Sequence, residues 1–237
     1  MVSNLPKSKF ATRTIHAGQS PDPSTGAIMT PIYASSTFVQ DSPGVHKGYE
    51  YARTGNPTRK AYEMCMADLE GGKSAFAFAS GLAAADTVLS LLDSGDEVLA
   101  MDDLYGGSRR LFENVRKRTS NLQFNFGDLS INSNLEKLIT KNTKMIWIET
   151  PTNPMLKIVD LEYIAKVAKK YNIITVADNT FCSPYIQRPI EHGFDIVVHS
   201  ATKFLNGHSD MVGGIVVCSL EEQAEQIAYL QNSVGAV

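Results

Sequence analysis

The stretch HSATKFLNGHSD, residues 199–210, sets Lys203 just behind an apolar run, with Ser200 and Thr202 ahead of it. A primary amine can condense with a carbonyl or take a proton from carbon, and hydroxyls beside it can donate to an anion. Other apolar runs end in the same way. Ser80, Gly81 and Leu82 follow 74–79 and open a helical pattern. Tyr105 lies in DDLYGG after 97–101, Asn153 in TPTNP after 144–149, and Asp178 after 173–177. Alone, each is ordinary turn, cap or packing chemistry. Together they supply an amine, a carboxylate, a flat aromatic and a phosphate cradle.

Pyridoxal 5′-phosphate needs all four. Its aldehyde needs a lysine amine for a Schiff base, here Lys203. Its pyridine nitrogen needs a carboxylate so that the ring stays protonated, here Asp178. Its ring needs a stacking partner, Tyr105. Its phosphate needs donors, which Gly81 and Leu82 at a helix start and the hydroxyls of Ser200 and Thr202 offer.

These residues need a frame that brings strand ends to one rim. SAFAFAS (74–80), EVLAM (97–101), LQFNF (122–126), KMIWIET (144–150), IITVAD (173–178), DIVVHS (195–200) and GGIVVCS (213–219) read as strands. Several are near-continuous apolar runs, as a sheet buried on both faces requires. Residues 82–92, 108–118, 134–140, 161–171 and 220–231 have helical spacing between them. The alternation predicts a doubly wound α/β fold with a mostly parallel sheet, whose ligands sit beyond the carboxyl ends of the strands. Residues 1–49, rich in Pro, Ser, Thr and Gly, read as an extended N-terminal arm, and 50–237 as the α/β domain.

Bulk properties narrow the function. The chain has 237 residues, 43% of them hydrophobic, and net charge −3. That balance gives no electrostatic footprint for nucleic acid. Cys65, Cys182 and Cys218 show no CxxC spacing, and His199 and His208 lack partners at ligand spacing, so no metal is expected. No apolar run reaches membrane-spanning length and the N-terminus has no signal core, so the expectation is a cytoplasmic protein without membrane contact. A nucleotide-binding domain would share the fold, but neither G-x-G-x-x-G nor G-x-x-x-x-G-K-[ST] occurs.

YARTGNPTR (51–59), FASGLAA (78–84), DDLYGG (102–107), ETPTNP (149–154), VADNTF (176–181) and SATKFLNGHSD (200–210) stand in the order seen in Cys/Met-metabolism PLP enzymes, the cystathionine γ-lyase, γ-synthase and β-lyase group. The chain resembles this family from about Thr14 to Val237. The resemblance implies the large domain of a fold-type I PLP-dependent transferase and a homotetramer, a dimer of dimers with shared active sites. It implies that Tyr51 and Arg53 reach the phosphate of a neighbouring subunit, where an arginine fork suits phosphate oxygens. It places Asn153 by the cofactor ring oxygen and the substrate carboxylate, with Glu149 supporting the site from behind. Arg110 is assigned to the substrate region and Glu50 to the distal amino group of the substrate.

Within the family, Glu50 before Tyr51 looks most like the γ-lyases, with γ-synthase and β-lyase close behind. Gly107, where methionine γ-lyases resemble one another in having cysteine, argues against that subtype. The implied mechanism makes Lys203, kept neutral by desolvation and the cofactor's charge, the base at the α-carbon. Tyr105, and Tyr51, would pass a proton to the departing thiolate. Cystathionine would give cysteine, 2-oxobutanoate and ammonia. The family's smaller C-terminal domain, with the arginine for the substrate carboxylate, does not occur in the sequence, which therefore reads as a fragment. A cofactor-binding or scaffolding fragment without catalysis is the alternative from a different class.

Overall fold

Asp160, Leu161–Tyr171 and Asn172 show how closely local chemistry sets an element. The Asp160 carboxylate accepts from the Tyr163 N–H at 3.0 Å, and Asn172 ends helix α7 in the left-handed region at φ 53°. Between them one stripe buries Ile164, Val167 and Ala168. The computed structural model describes residues 8–237; residues 1–7 of the expected arm lie outside the described residues.

In chain order the elements are α1 (Phe10–His16), β1 (Gln40–Ser42), β2 (Val45–His46), α2 (Pro57–Glu70), β3 (Ser74–Phe78), α3 (Gly81–Leu89) and β4 (Glu97–Met101). Next come α4 (Gly106–Arg110), a wider turn of helix over Leu111–Arg116, α5 (Lys117–Thr119), β5 (Gln123–Gly127), α6 (Asn132–Leu138), β6 (Thr143–Glu149) and α7. The last are β7 (Ile174–Asp178), α8 (Ser183–Ile186), a 3₁₀ turn (Pro189–His192), β8 (Ile196–Ser200), β9 (Gly214–Cys218) and α9 (Glu221–Val234). The expected strands and helices are all present, with ends shifted by a few residues. The arm is less plain than its composition suggests, since α1 and the β1–β2 hairpin fold within it.

The periodicity reading assigns nothing to 57–70, yet α2 is among the longest helices. Its signal is in the caps. Asn56 accepts from the N–H groups of Thr58 and Arg59, Pro57 is pre-set for the first turn, and Gly71 closes the helix at φ 76°.

The main sheet runs β3-β9-β8-β7-β6-β4-β5. Pairings from β8 to β5 are parallel, while β9 is antiparallel to both β8 and β3. The strand before β9 is joined to it by a loop rather than a helical crossover, so the chain returns in the opposite direction. Met66, Ala67 and Leu69 of α2 pack on Ala75, Val197, Ile215 and Val217. Ala84, Ala85, Val88 and Leu89 of α3 belong with Phe78, Val198 and Val216 to the larger core around Trp147. Strand residues alternate between faces, so these two helices cover opposite faces of the sheet. Among the described residues no helix is long and apolar enough to cross a membrane.

Candidate functional site

Residues from five strand ends meet in a cavity of about 330 Å³. It is lined by Ser80, Gly81, Leu82, Tyr105, Glu149, Asn153, Asp178, Thr180, Phe181, Ser200, Thr202 and Lys203, among others. That volume lies within the range of small-ligand sites. Gly81, Leu82, Tyr105, Asn153, Asp178, Ser200, Thr202 and Lys203 are therefore brought together as their sequence positions imply.

The helix start at Ser80–Leu82 is built by close approach. Ser80 caps α3 by accepting from the Ala83 N–H at 3.0 Å. A Cβ on Gly81 would lie 2.7 Å from Ser200 Cβ and 2.8 Å from Ser200 Cα. The glycine thus lets the first turn of α3 abut the end of β8, so that Ser80, Leu82 and Ser200 edge one space.

Asp178 lines the cavity and is steadied by its neighbour. Thr180 Oγ1 donates to Asp178 Oδ1 at 2.5 Å, and its N–H donates at 3.1 Å. The same hydroxyl accepts from the Ser200 N–H at 2.9 Å, which ties the ends of β7 and β8. Burial raises the Asp178 carboxyl above the usual carboxylate range; the Thr180 bonds and the nearby His199 pull it down. A cation facing Asp178 would add to that downward pull.

Glu149 is buried and pairs in register with Asp178. It accepts the Tyr105 N–H at 2.9 Å. Burial first, then the Asp178 charge, pushes its carboxyl up to about 8, against the backbone bonds from Tyr105 and Asn153. It is therefore a neutral acid at neutral pH that holds the loops carrying both residues. Asp103 ties the same loops: it pairs with the Thr152 hydroxyl and accepts the Met155 N–H at 2.9 Å.

Three expectations meet a different geometry. Lys203 is exposed in the turn after β8 rather than set in an apolar enclosure, so this chain's own packing does not supply the desolvation expected of it. The Thr202 hydroxyl is engaged across the loop, accepting from the Gly213 N–H at 3.1 Å and lying 3.3 Å from Gly213 O. Arg110 is exposed at the end of α4 and does not line the cavity, because the side of the helix facing inward carries Gly107 and Ser108.

Glu50, Tyr51 and Arg53 are also exposed and away from the cavity of their own chain. The Arg53 guanidinium lies 5.1 Å from the centre of the Tyr51 ring, and its Nε donates to Asn232 Oδ1 at 3.2 Å. Sequence reasoning named Ser80 at the helix start but overlooked Thr180 and Phe181 as lining residues. The place two residues after a strand-end aspartate is the signal that marks Thr180.

The donor set fits pyridoxal 5′-phosphate: hydroxyls and a helix start at one end, an aromatic wall, a carboxylate on a strand end and an amine at the rim. A model of the family described as Cys/Met metabolism PLP-dependent enzyme matches residues 11–237. A cystathionine beta-lyase of Coxiella burnetii is 61% identical over 237 residues, covering 100% of this chain and 61% of that protein. A probable cystathionine gamma-synthase of Herpetosiphon aurantiacus is 50% identical over 228 residues, covering 96% of this chain and 71% of that protein. The crystal structure of cystathionine gamma-lyase from Lactobacillus plantarum complexed with L-serine superposes with a TM-score of 0.95 at 48% identity, over 97% of this chain and 60% of that one.

Proposed function

Since the chain belongs to the Cys/Met metabolism PLP-dependent enzymes, we propose that it is the cofactor-binding part of a carbon–sulfur lyase of transsulfuration, acting on cystathionine as a γ-lyase. The convergence of Lys203, Asp178, Tyr105 and the Ser80–Leu82 helix start on one cavity carries this reading.

When bound, pyridoxal 5′-phosphate supplies a carbonyl that takes up amines and a ring that accepts electrons. Asp178 would hold the ring nitrogen, and Tyr105 would cover a ring face. Gly81, Leu82 and Ser200 would face the phosphate, with Thr202 closing the loop beside them and Asn153 at the opposite wall. Lys203 Nζ would anchor the carbonyl, then take the α-proton and return it. Tyr105 Oη would give a proton to a leaving sulfur. Tyr51 and Arg53 serve a neighbouring copy, in keeping with their distance from their own cavity; the assembly would be a homotetramer of shared sites. The chain spans about 60% of the length of the Coxiella burnetii and Lactobacillus plantarum relatives.

Glu50 favours the γ-lyase reading by offering a carboxylate for a distal amino group. A second reading, β-lyase, has the 61% identical Coxiella burnetii relative in its favour. Gly107 separates both from a cysteine-bearing subtype in physical terms: a Cβ there would meet the Tyr105 ring at 2.4 Å, so the stacking ring would have to move.

The test is borohydride reduction of the protein with cofactor, peptide mapping of the adduct, and product analysis with cystathionine. A pyridoxyl group on Lys203 with cysteine and 2-oxobutanoate supports the γ-lyase. Homocysteine and pyruvate would replace it by the β-lyase. No adduct would refute the cofactor reading.

A further inference from the structure

Directly behind the cavity lies a polar cluster that this chemistry does not use. Adjacent strand residues face opposite sides of a sheet. Asp178 and Ser200 face the cavity, so Asn179 and His199 face α2. There His199 Nε2 lies 2.6 Å from Glu70 Oε1, and both side chains are 0% exposed. Asn179, also buried, donates to Glu70 Oε1 at 3.0 Å and to Gln187 O at 2.8 Å. Gln187 donates to Asn179 Oδ1 at 3.0 Å and to Thr150 O at 3.2 Å. A single carboxyl at the end of α2 thus joins the carboxyl ends of β6, β7 and β8.

The cluster is costly for a core. Among the described residues, the buried Glu70 Oε2 and His199 Nδ1 have no hydrogen-bond partner. Packing alone would favour apolar side chains at both positions, since a buried acid–imidazole pair rarely outdoes well-packed carbon. The pair does act on the cavity: the His199 imidazole is among the groups that draw Asp178 down against burial. Asp178 also faces Glu149 from β6 and the Thr180 hydroxyl, with Lys203 on the cavity rim. Glu70 in turn acts on the Cys182 thiol and the Arg188 guanidinium.

We propose that Glu70 and His199 are positioning residues for the cofactor: from behind the sheet the Glu70 carboxyl holds Asn179 and His199, and these fix the strand ends that present Asp178 and Ser200 to the cavity. The inference rests on the reading of the cavity as a pyridoxal 5′-phosphate site. Neither residue touches the reacting atoms, so its effect passes through Asp178.

Glu70→Gln keeps the shape and removes the charge. Cofactor-stripped wild-type, Glu70→Gln and His199→Gln chains would be titrated with pyridoxal 5′-phosphate by fluorescence, from mildly acid to mildly alkaline pH, beside thermal melts. Both variants are expected to melt within a few degrees of wild type yet bind cofactor roughly tenfold more weakly. In His199→Gln the acid limb of affinity should move up, because Asp178 loses a neighbour that draws its carboxyl down. Unchanged affinity and an unchanged acid limb would reduce the pair to a structural bond and overturn the proposal. The wild type gives a readout that needs no variant. The buried His199 Nε2–H should give a slowly exchanging downfield proton resonance that moves when cofactor binds, and a resonance that stays fixed would equally overturn it. Wild type that binds no cofactor would sink the cavity reading, and this inference with it.

Discussion

Glu149 and Asp178 occupy one register position on neighbouring parallel strands, and both carboxyl groups open into the same cavity. Two carboxylates so placed disfavour each other's ionisation, and burial adds to the effect. The two differ in their bonds: Asp178 is held by Thr180 on the cavity wall, while Glu149 holds the Tyr105 and Asn153 loops.

The pair predicts a pH dependence of stability. The Glu149 carboxyl moves from an ordinary 4.5 up to about 8 on folding, so the folded chain holds a proton that the unfolded chain gives up. Its contribution is present in full below 4.5 and is lost as pH rises to about 8. The cofactor-free chain should therefore lose thermal stability across that window, and Glu149→Gln should flatten the slope. Melts in a pH series would show it; parallel slopes for the two chains would contradict it.

Asp178→Asn should leave a cofactor that Lys203 still captures, since the rim and the helix start are untouched. Turnover should fall by about 100-fold or more, because a neutral amide no longer stabilises charge on the ring nitrogen. Borohydride trapping beside steady-state rates separates the two effects. Equal loss of trapping and turnover would mean that Asp178 shapes the site instead.

Gly81→Ala should destabilise the fold by about 1–3 kcal/mol, because the new methyl meets the backbone of Ser200 rather than a flexible tip. It should also push the start of α3 from the end of β8 and weaken cofactor binding. Denaturant melts with cofactor titration test both. A variant as stable as wild type would show that the contact relaxes freely.

Arg53→Ala should leave the fold of the single chain intact, since the side chain is exposed. If it serves a neighbour's phosphate, wild-type cofactor affinity should rise with protein concentration, and the variant's should not. Titrations at two protein concentrations decide; a concentration-independent affinity in wild type would place Arg53 outside the phosphate site.

The cavity was largely legible in the sequence because strand ends announce themselves. Asp178, Ser200 and Tyr105 each terminate an apolar run or follow it closely, and a sheet gathers such ends without further instruction. What the sequence did not disclose depends on facing and on caps. Helix α2 carries Glu63 and Glu70 on its buried side, which blurs the apolar stripe that reveals α7. Arg110 and Arg109 are neighbours in sequence, yet α4 turns them differently: Arg109 lies over Phe126 and Arg110 faces outward. His199 stood in the quoted motif as one more residue near Lys203, and strand alternation alone sends it to the opposite face.

The reversed strand β9 has a consequence for the life of the site. It returns the chain to the sheet between β8 and β3, so the loop bearing Lys203 is moored at both ends, and Thr202 and Gly213 fasten its neck. The rim that carries Lys203 is thus braced by the chain's own backbone pairing and not by anything the cavity holds.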